Sequence, residues 1–406
     1  MNHFYDEILN GLSELPVSGA PGIMLVNGEK TQAVFTGENP ADVFLAAAEY
    51  GEGRIFVASH DVYLHWWRTK ATGLEGDLIN RIVQWLTRGS GADDTNTIEV
   101  SKLNDDADLS SYKLIVLSYE RFNEKINENL RVYVEDGGAL FCSLTPWAFA
   151  TDLNNFLAFS FLQNYCGILL TDKYFCIPPR VPISHNQAKF SNFHDAVKAV
   201  SVDTKELSNF CKTIDCCIEN FTKWDISCEH DVSKMKRSLL KQCKQNNSQV
   251  IPSQKNPIKN EDTKQLTKLL CKCYIALGEK APNIEEFPFD FTESPPLKSN
   301  VELNLTSKFS ERLSTGYYLP AGVQMSLKII KGNPSGWTCR IGAHTDVLHD
   351  QSEFTRWPMC FMEKSMNQKT DLKIKSPFGG LVYFDWYHLF VKNLSLFVFF
   401  LLLIIK

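Results

Sequence analysis

The sequence predicts an α/β N-terminal domain with a flavodoxin- or amidotransferase-like sheet, then a helical middle segment, then a partial β-sandwich. Three observations in the 406 residues carry this. Short apolar runs alternate with amphipathic stretches through residues 1–185, as strands alternating with helices do. Residues 190–280 are rich in Lys and Cys, with apolar groups at three- and four-residue spacing. After a Pro-rich linker at 281–300, residues 301–385 alternate apolar and polar positions between Gly and Pro turns, the pattern of half-buried strands. An apolar tail, 386–406, closes the chain.

In the first segment Gly22–Val26 is a short apolar run that reads as a strand. Asn39-Pro40 then opens a stretch, Ala41–Tyr50, expected to be helical with Pro at its first turn. Gly51-Glu52-Gly53 ends it, and Arg54–His60 reads as a buried strand with polar residues at its carboxyl end. Leu74, Leu78, Ile82 and Trp85 fall at helical spacing between Leu74 and Leu86, with Gly89 as the stop. Lys113–Ser118 is another strand, Glu124–Val134 a helix ended by Gly137-Gly138, and Ala139–Ser143 a further strand. These alternations point to a mostly parallel sheet. In the middle segment, Leu207, Phe210 and Ile214, then Met235 and Leu239, then Leu266, Leu269 and Leu270 predict two or three helices. Gln242–Asp262 has few apolar residues and reads as an exposed or disordered loop. Pro282, Pro288, Pro295 and Pro296 mark the linker. Val301–Leu305 and Val323–Ile329 are the clearest later strands.

Composition excludes some functions. A net charge of -5 provides no positive field for phosphates, so nucleic acid is not an expected partner. The N-terminus, Met1 to Glu7, has no basic region followed by an apolar run, so no secretory signal is expected. The 12 cysteines are then expected to be reduced thiols in the cytoplasm.

Each chemically suggestive cluster has a plainer reading. His60 and Asp61 follow a buried strand, where open α/β sheets place binding crevices. No partner nucleophile or base is visible, and a polar strand cap is the simpler account. Cys142-Ser143 sits where an elbow nucleophile would stand. Its neighbours are bulky and no glycine follows, so a buried thiol is expected. Cys211, Cys216, Cys217, Cys228, Cys243, Cys271 and Cys273, with His230, invite zinc, but their gaps are irregular and lack paired knuckles. His344-Thr345-Asp346, with His349 and Asp350, suggests a carboxylate–histidine site or a hydrogen-bonded turn. Trp66-Trp67 is read as packing between helix and sheet, with an exposed interaction patch as the alternative.

Three late blocks carry a resemblance: Thr315 to Gly322 (TGYYLPAG), Ile341 to Asp346 (IGAHTD) and Ser376 to Tyr383 (SPFGGLVY). In this order and spacing they resemble the opening of the enhancin-like metallopeptidase domain. With Ala46–Arg54, Val57–Leu64, Gly137–Leu140 and Trp147, the chain is similar to the TRP channel-associated factor family. The family's peptidase-like domain is expected to be truncated here. A zinc peptidase of this type needs His-Glu-x-x-His, two His one helical turn apart with a Glu to activate water. Among the nine His none fits: His60/His65 and His344/His349 are five residues apart. No catalytic, cofactor or metal residue is therefore carried over, and no enzyme activity is expected.

What the resemblance implies is a non-catalytic regulator that binds a melastatin-type TRP cation channel, cytoplasmic and peripheral at the plasma membrane. The alternatives are a hydrolase or amidotransferase-like enzyme working from the N-terminal sheet, and a glycan- or mucin-contacting module. The uncharged run Leu394–Ile405 is short of the ~20 apolar residues of a spanning helix unless His388, Lys392 and Asn393 are included. The tail is either a marginal anchor or a departure from the domain's pattern after Asp385, such as an alternative transcript would produce. The second reading is preferred.

Overall fold

The computed structural model of the chain describes residues 4–200, 206–220, 238–239, 241, 249–284, 297–298, 301–307, 310–366, 371–386, 392–399 and 402–404. Two compact units divide it, Met1–Met235 and Lys236–Lys406.

In the first unit the strands are β1 (Glu14–Pro16), β2 (Gly22–Val26), β3 (Thr31–Thr36), β4 (Val43–Tyr50), β5 (Gly53–Ala58), β6 (Thr97–Glu99), β7 (Leu114–Leu117), β8 (Ala139–Ser143), β9 (Ile168–Tyr174) and β10 (Arg180–Pro182). The helices are α1 (Phe4–Leu9), α2 (Val62–Arg68), α3 (Gly73–Leu86), α4 (Glu124–Glu135), α5 (Leu157–Phe161), α6 (Phe193–Ala199) and α7 (Leu207–Asn220). One eight-stranded sheet runs β6-β7-β8-β5-β4-β2-β9, with β3 on β4. Residues alternate between its two faces. Ile55, Val57, Leu140 and Cys142 join the core that packs α4 and α5, while Phe56, Ala58 and Phe141 join the core of α1, α2 and α3. A buried sheet with helices on both faces follows, as apolar strand runs dictate.

Two expectations are corrected. The sheet is mixed: β6, β7, β8 and β5 pair in parallel. The strands β5, β4, β2, β9 and β3 pair antiparallel. Ala41–Tyr50 contributes strand β4 and no helix. Val43 to Ala48 are all buried, with Phe44 and Ala47 on one face and Ala46 and Ala48 on the other. A run buried on both sides has no period to read, and pairing with β3 and β5 overrides alanine's helix propensity. The turn between β4 and β5 needs its glycines. Gly51 has φ +58°, and a Cβ on Gly53 would lie 2.0 Å from the Val134 carbonyl oxygen.

The second unit opens with α8 (Glu261–Leu277), capped by the Asn260 side chain at its start and ended by left-handed Gly278. The segment before it is less exposed than expected. Val250, Ile251 and Ile258 are buried, the Val250 carbonyl accepts from Thr267 Oγ1 at 2.8 Å, and Ile258 bridges to Phe354. The strands are β11 (Leu297–Lys298), β12 (Val301–Ser307), β13 (Glu311–Leu319), β14 (Gln324–Gly332), β15 (Trp337–Ile341), β16 (Met362–Ser365), β17 (Asp371–Lys375), β18 (Gly380–Trp386), β19 (Lys392–Phe399) and β20 (Leu402–Ile404). They form two antiparallel sheets, β11-β20-β13-β18-β15-β16 and β12-β19-β14-β17. Leu319, Trp337, Ile341 and Phe384 from the first meet Met325, Leu327, Leu372 and Ile374 from the second in one core. Of the segment read as a separate tail, 386–406, the described residues contribute the end of β18 with buried Trp386, then β19 between β12 and β14, and β20 beside β13. Among the described residues no helix is long and apolar enough to cross a membrane.

Candidate functional site

At the carboxyl ends of the parallel strands the first unit gathers polar side chains from three loops, and nearly all of them serve the backbone. After β5, Ser59 Oγ donates to the Gly22 carbonyl at 2.5 Å and lies 3.2 Å from that of Phe44. At the end of β8, Ser143 Oγ donates to the His60 carbonyl at 2.8 Å, and just beyond it Thr145 Oγ1 accepts from the Asp61 N–H at 3.2 Å. After β7, Tyr119 O–H accepts from the Thr145 N–H at 2.9 Å and donates to Asp61 Oδ2 at 3.3 Å. His60 Nδ1 accepts the Val62 N–H at 3.1 Å and lies 3.2 Å from Asp61 Oδ1. Burial pushes the His60 pKa down, and Asp61 opposes that only in part. A ring nitrogen that accepts an amide proton is unprotonated, so the neutral form agrees with both facts.

Cys142 is wholly buried in β8, and burial pushes its thiol well up, with Glu120 and Cys166 adding to that. A protonated thiol without solvent contact has no nucleophilic character. Cys211, Cys216 and Cys217 lie on α7, and burial raises each thiol. Cys271 and Cys273 lie buried in α8, in the other unit. Cys228, Cys243 and His230 fall outside the described residues. Trp66 and Trp67 are half-buried on α2 and pack on the apolar core of α3, with Trp66 edge-on to Tyr63 at 5.0 Å.

In the second unit the three sequence blocks converge because their strands are neighbours. β18 lies between β13 and β15, pairing Leu319 with Gly380 and Ile341 with Val382. Thr315 Oγ1 donates to the Val382 carbonyl at 2.7 Å, the Gly322 N–H to the Ser376 carbonyl at 2.8 Å, and the Gly342 N–H to the Leu381 carbonyl at 2.9 Å. Glycine is required at this junction. A Cβ on Gly380, at φ +139°, would lie 2.7 Å from the Gly342 backbone, and one on Gly379 would lie 2.8 Å from Tyr318 Oη. Beyond Gly342, His344 Nδ1 lies 3.4 Å from Asp346 Oδ1, and Asp346 also pairs with Arg356. His349 and Asp350 follow in the same loop. Sequence reasoning singled out His344 and Asp346 but missed Arg356, Trp357 and Cys360, which the Phe354–Cys360 loop brings to the same place. An Arg-Trp-Pro run in a loop is the only trace they leave in the sequence.

The comparisons agree with this layout. A family model described as the TRPM8 N-terminal domain matches residues 2–170, and one for the N-terminal domain of M60-like peptidases matches 294–394. TRPM8 channel-associated factor 2 of Mus musculus is 24% identical over 418 residues, covering 94% of this chain and 44% of the relative. TRPM8 channel-associated factor 1 of Homo sapiens is 25% identical over 422 residues, covering 93% and 43%. The chain thus spans less than half the length of the curated relatives it matches. Among solved structures, the IMPa metallopeptidase from Pseudomonas aeruginosa has a TM-score of 0.61 at 15% identity, covering 98% of this chain and 52% of that one. Its complex with an O-glycopeptide gives 0.58 at 16%, covering 98% and 53%. At such identity the likeness is one of fold. The donor set here does not fit a metallopeptidase's ion: no His pair has the required spacing, and among the described residues no three His, Cys, Asp or Glu side chains are placed to hold one. Matched in this order along its length, the chain is similar to the TRP channel-associated factors, with residues 2–170 matching the model of their N-terminal domain and residues 294–394 that of the N-terminal domain of M60-like peptidases.

Proposed function

We propose that this protein is a non-catalytic regulator that binds a melastatin-type TRP cation channel and influences its activity or its delivery to the plasma membrane. It works from the cytoplasm, peripheral to that membrane. The observation that carries this is the similarity, over 93–94% of the chain, to proteins named for their association with TRPM8. Those relatives are named as channel-associated factors and not as enzymes. Cys142 is consistent with this reading, since it is buried in its strand with its thiol pKa pushed well up and so is a poor nucleophile. The two antiparallel sheets of the second unit then serve as scaffold.

The test is retention of detergent-solubilised TRPM8 by the tagged full chain, alongside an unrelated cytosolic protein at equal loading. Specific retention, with a change in surface-labelled channel or in cold-evoked current on co-expression, is the expected result. Retention no greater than that of the control sinks the proposal.

A further inference from the structure

The junction of the three sequence blocks encloses a cavity of about 300 Å³ inside the second unit, at the small end of ligand sites. Tyr318, Trp357 and Phe378 supply aromatic walls, each at least 93% buried and so already fixed in place. The Trp357 indole N–H donates to the Pro282 carbonyl at 2.9 Å, and its ring meets Tyr274 at 5.5 Å and Phe378 at 6.2 Å. Arg356 is the one Lys, Arg, Asp or Glu among the described lining residues. His344 also contributes to the polar lining. Asp346 holds both from behind, through His344 Nδ1 and the Arg356 guanidinium, while Arg356 also donates to the Trp357 carbonyl and approaches Cys360 Sγ at 3.5 Å.

We infer that this cavity binds a small, planar aromatic acid: one or two fused rings stacked on the aromatic walls, with a carboxylate facing Arg356 and His344. Volume sets the size, the three rings set the flat apolar body, and the Arg356 guanidinium, with no Asp or Glu among the described lining residues, sets the sign of the polar end. The backbone is pre-formed, since Gly342, Gly379 and Gly380 pack too closely for side chains, so little ordering opposes binding. This site is independent of the channel reading.

Calorimetric titration of the full chain with phenylacetate and indole-3-acetate tests it, with indole as the ring lacking a charge and acetate as the charge lacking a ring. At least one aromatic acid is expected to bind saturably, about tenfold or more tighter than indole or acetate. Ala343→Trp, at an exposed residue on the cavity lip, is expected to abolish that binding with the melting temperature unchanged. Arg356→Gln is expected to erase the preference for acid over indole. Absence of saturable binding by both acids, equal affinity for indole, or unchanged binding by Ala343→Trp overturns the inference.

Discussion

Two of the polar clusters among the described residues are used in different ways. At the carboxyl edge of the first unit's sheet, Ser59, Ser143, Thr145 and Tyr119 spend their hydroxyls on backbone groups of neighbouring loops. At the second unit's motif junction, backbone glycines make the close contacts, and the side chains of His344 and Arg356, both paired with Asp346, line a cavity. The lesson is that a strand end rich in His, Asp, Ser and Tyr is not thereby a reactive site. What separates the two is whether the backbone can close its own hydrogen bonds without the side chains.

The largest expected effect tests how firmly the strands that lead to the junction are held. Arg312 forms a two-pronged pair with Asp385 across β13 and β18, at 2.8 and 3.0 Å, and the Asp385 side chain is only 1% exposed. Arg312→Ala removes the guanidinium from a buried carboxylate, a change that costs about 3–5 kcal/mol. Denaturant melts read by hydrogen exchange in β13 and β18 are expected to show that loss in the second unit, with the first unit's sheet unaffected. A loss below about 1 kcal/mol would mean that solvent reaches Asp385, and that β13 and β18 are held there no more firmly than by a surface ion pair.

Next in size is the glycine requirement itself. Gly380→Ala puts a Cβ 2.7 Å from the Gly342 backbone at φ +139°. Gly316→Ala, at φ +72°, meets nothing within 4 Å. The second change is expected to cost about 1 kcal/mol, the backbone penalty alone, and the first at least about 2–3 because a clash adds to it. Equal losses in the same denaturant melt would show that close packing at the junction contributes nothing beyond φ.

The carboxyl edge of the first unit responds more mildly. Tyr119→Phe leaves the Thr145 N–H without its acceptor and Asp61 without a donor, for about 1–2 kcal/mol. Ser143→Ala, which removes a single donor to the His60 carbonyl, is expected to cost less. If Tyr119→Phe were instead neutral in stability but lowered channel retention, the edge would be a binding surface and the contrast between the two regions would fail.

Legibility in the sequence follows the same divide. Helices α3 and α4 were readable because one face of each meets the sheet, leaving a 3.6-residue pattern, and Gly89 and Gly137-Gly138 punctuate their ends. β4 was not, since Val43 to Ala48 are buried on both sides and an alanine run without a period looks helical. The antiparallel half of the sheet depends on how β4, β2 and β9 pair over long separations, which no local signal encodes. For Leu394–Ile405, apolarity suggested a membrane or an artefact, while the chain places β19 and β20 in its two sheets. At the junction the glycines advertised themselves as motifs. Arg356 and Trp357 did not, because single residues in an irregular loop carry no pattern.

The smallest effect is a pH dependence confined to the junction. Burial pushes the Asp346 pKa up, but its own backbone N–H, Arg356 and His344 together outweigh burial and hold the carboxyl below its usual range. A carboxylate whose pKa is lower folded than unfolded contributes in full above the unfolded value of about 3.9 and loses that contribution as pH falls through the folded one. With a 45% exposed side chain, solvent screens the gain to under about 1 kcal/mol. Asp346→Asn is therefore expected to be slightly less stable than the parent at pH 6 and equal to it near pH 2–3, in urea melts of the second unit. A difference that persists unchanged at low pH would mean that Asp346 acts through hydrogen-bond geometry alone. Its pairing with His344 and Arg356 would then owe nothing to charge, and the junction would resemble the carboxyl edge more closely than the Arg356 guanidinium in its lining suggests.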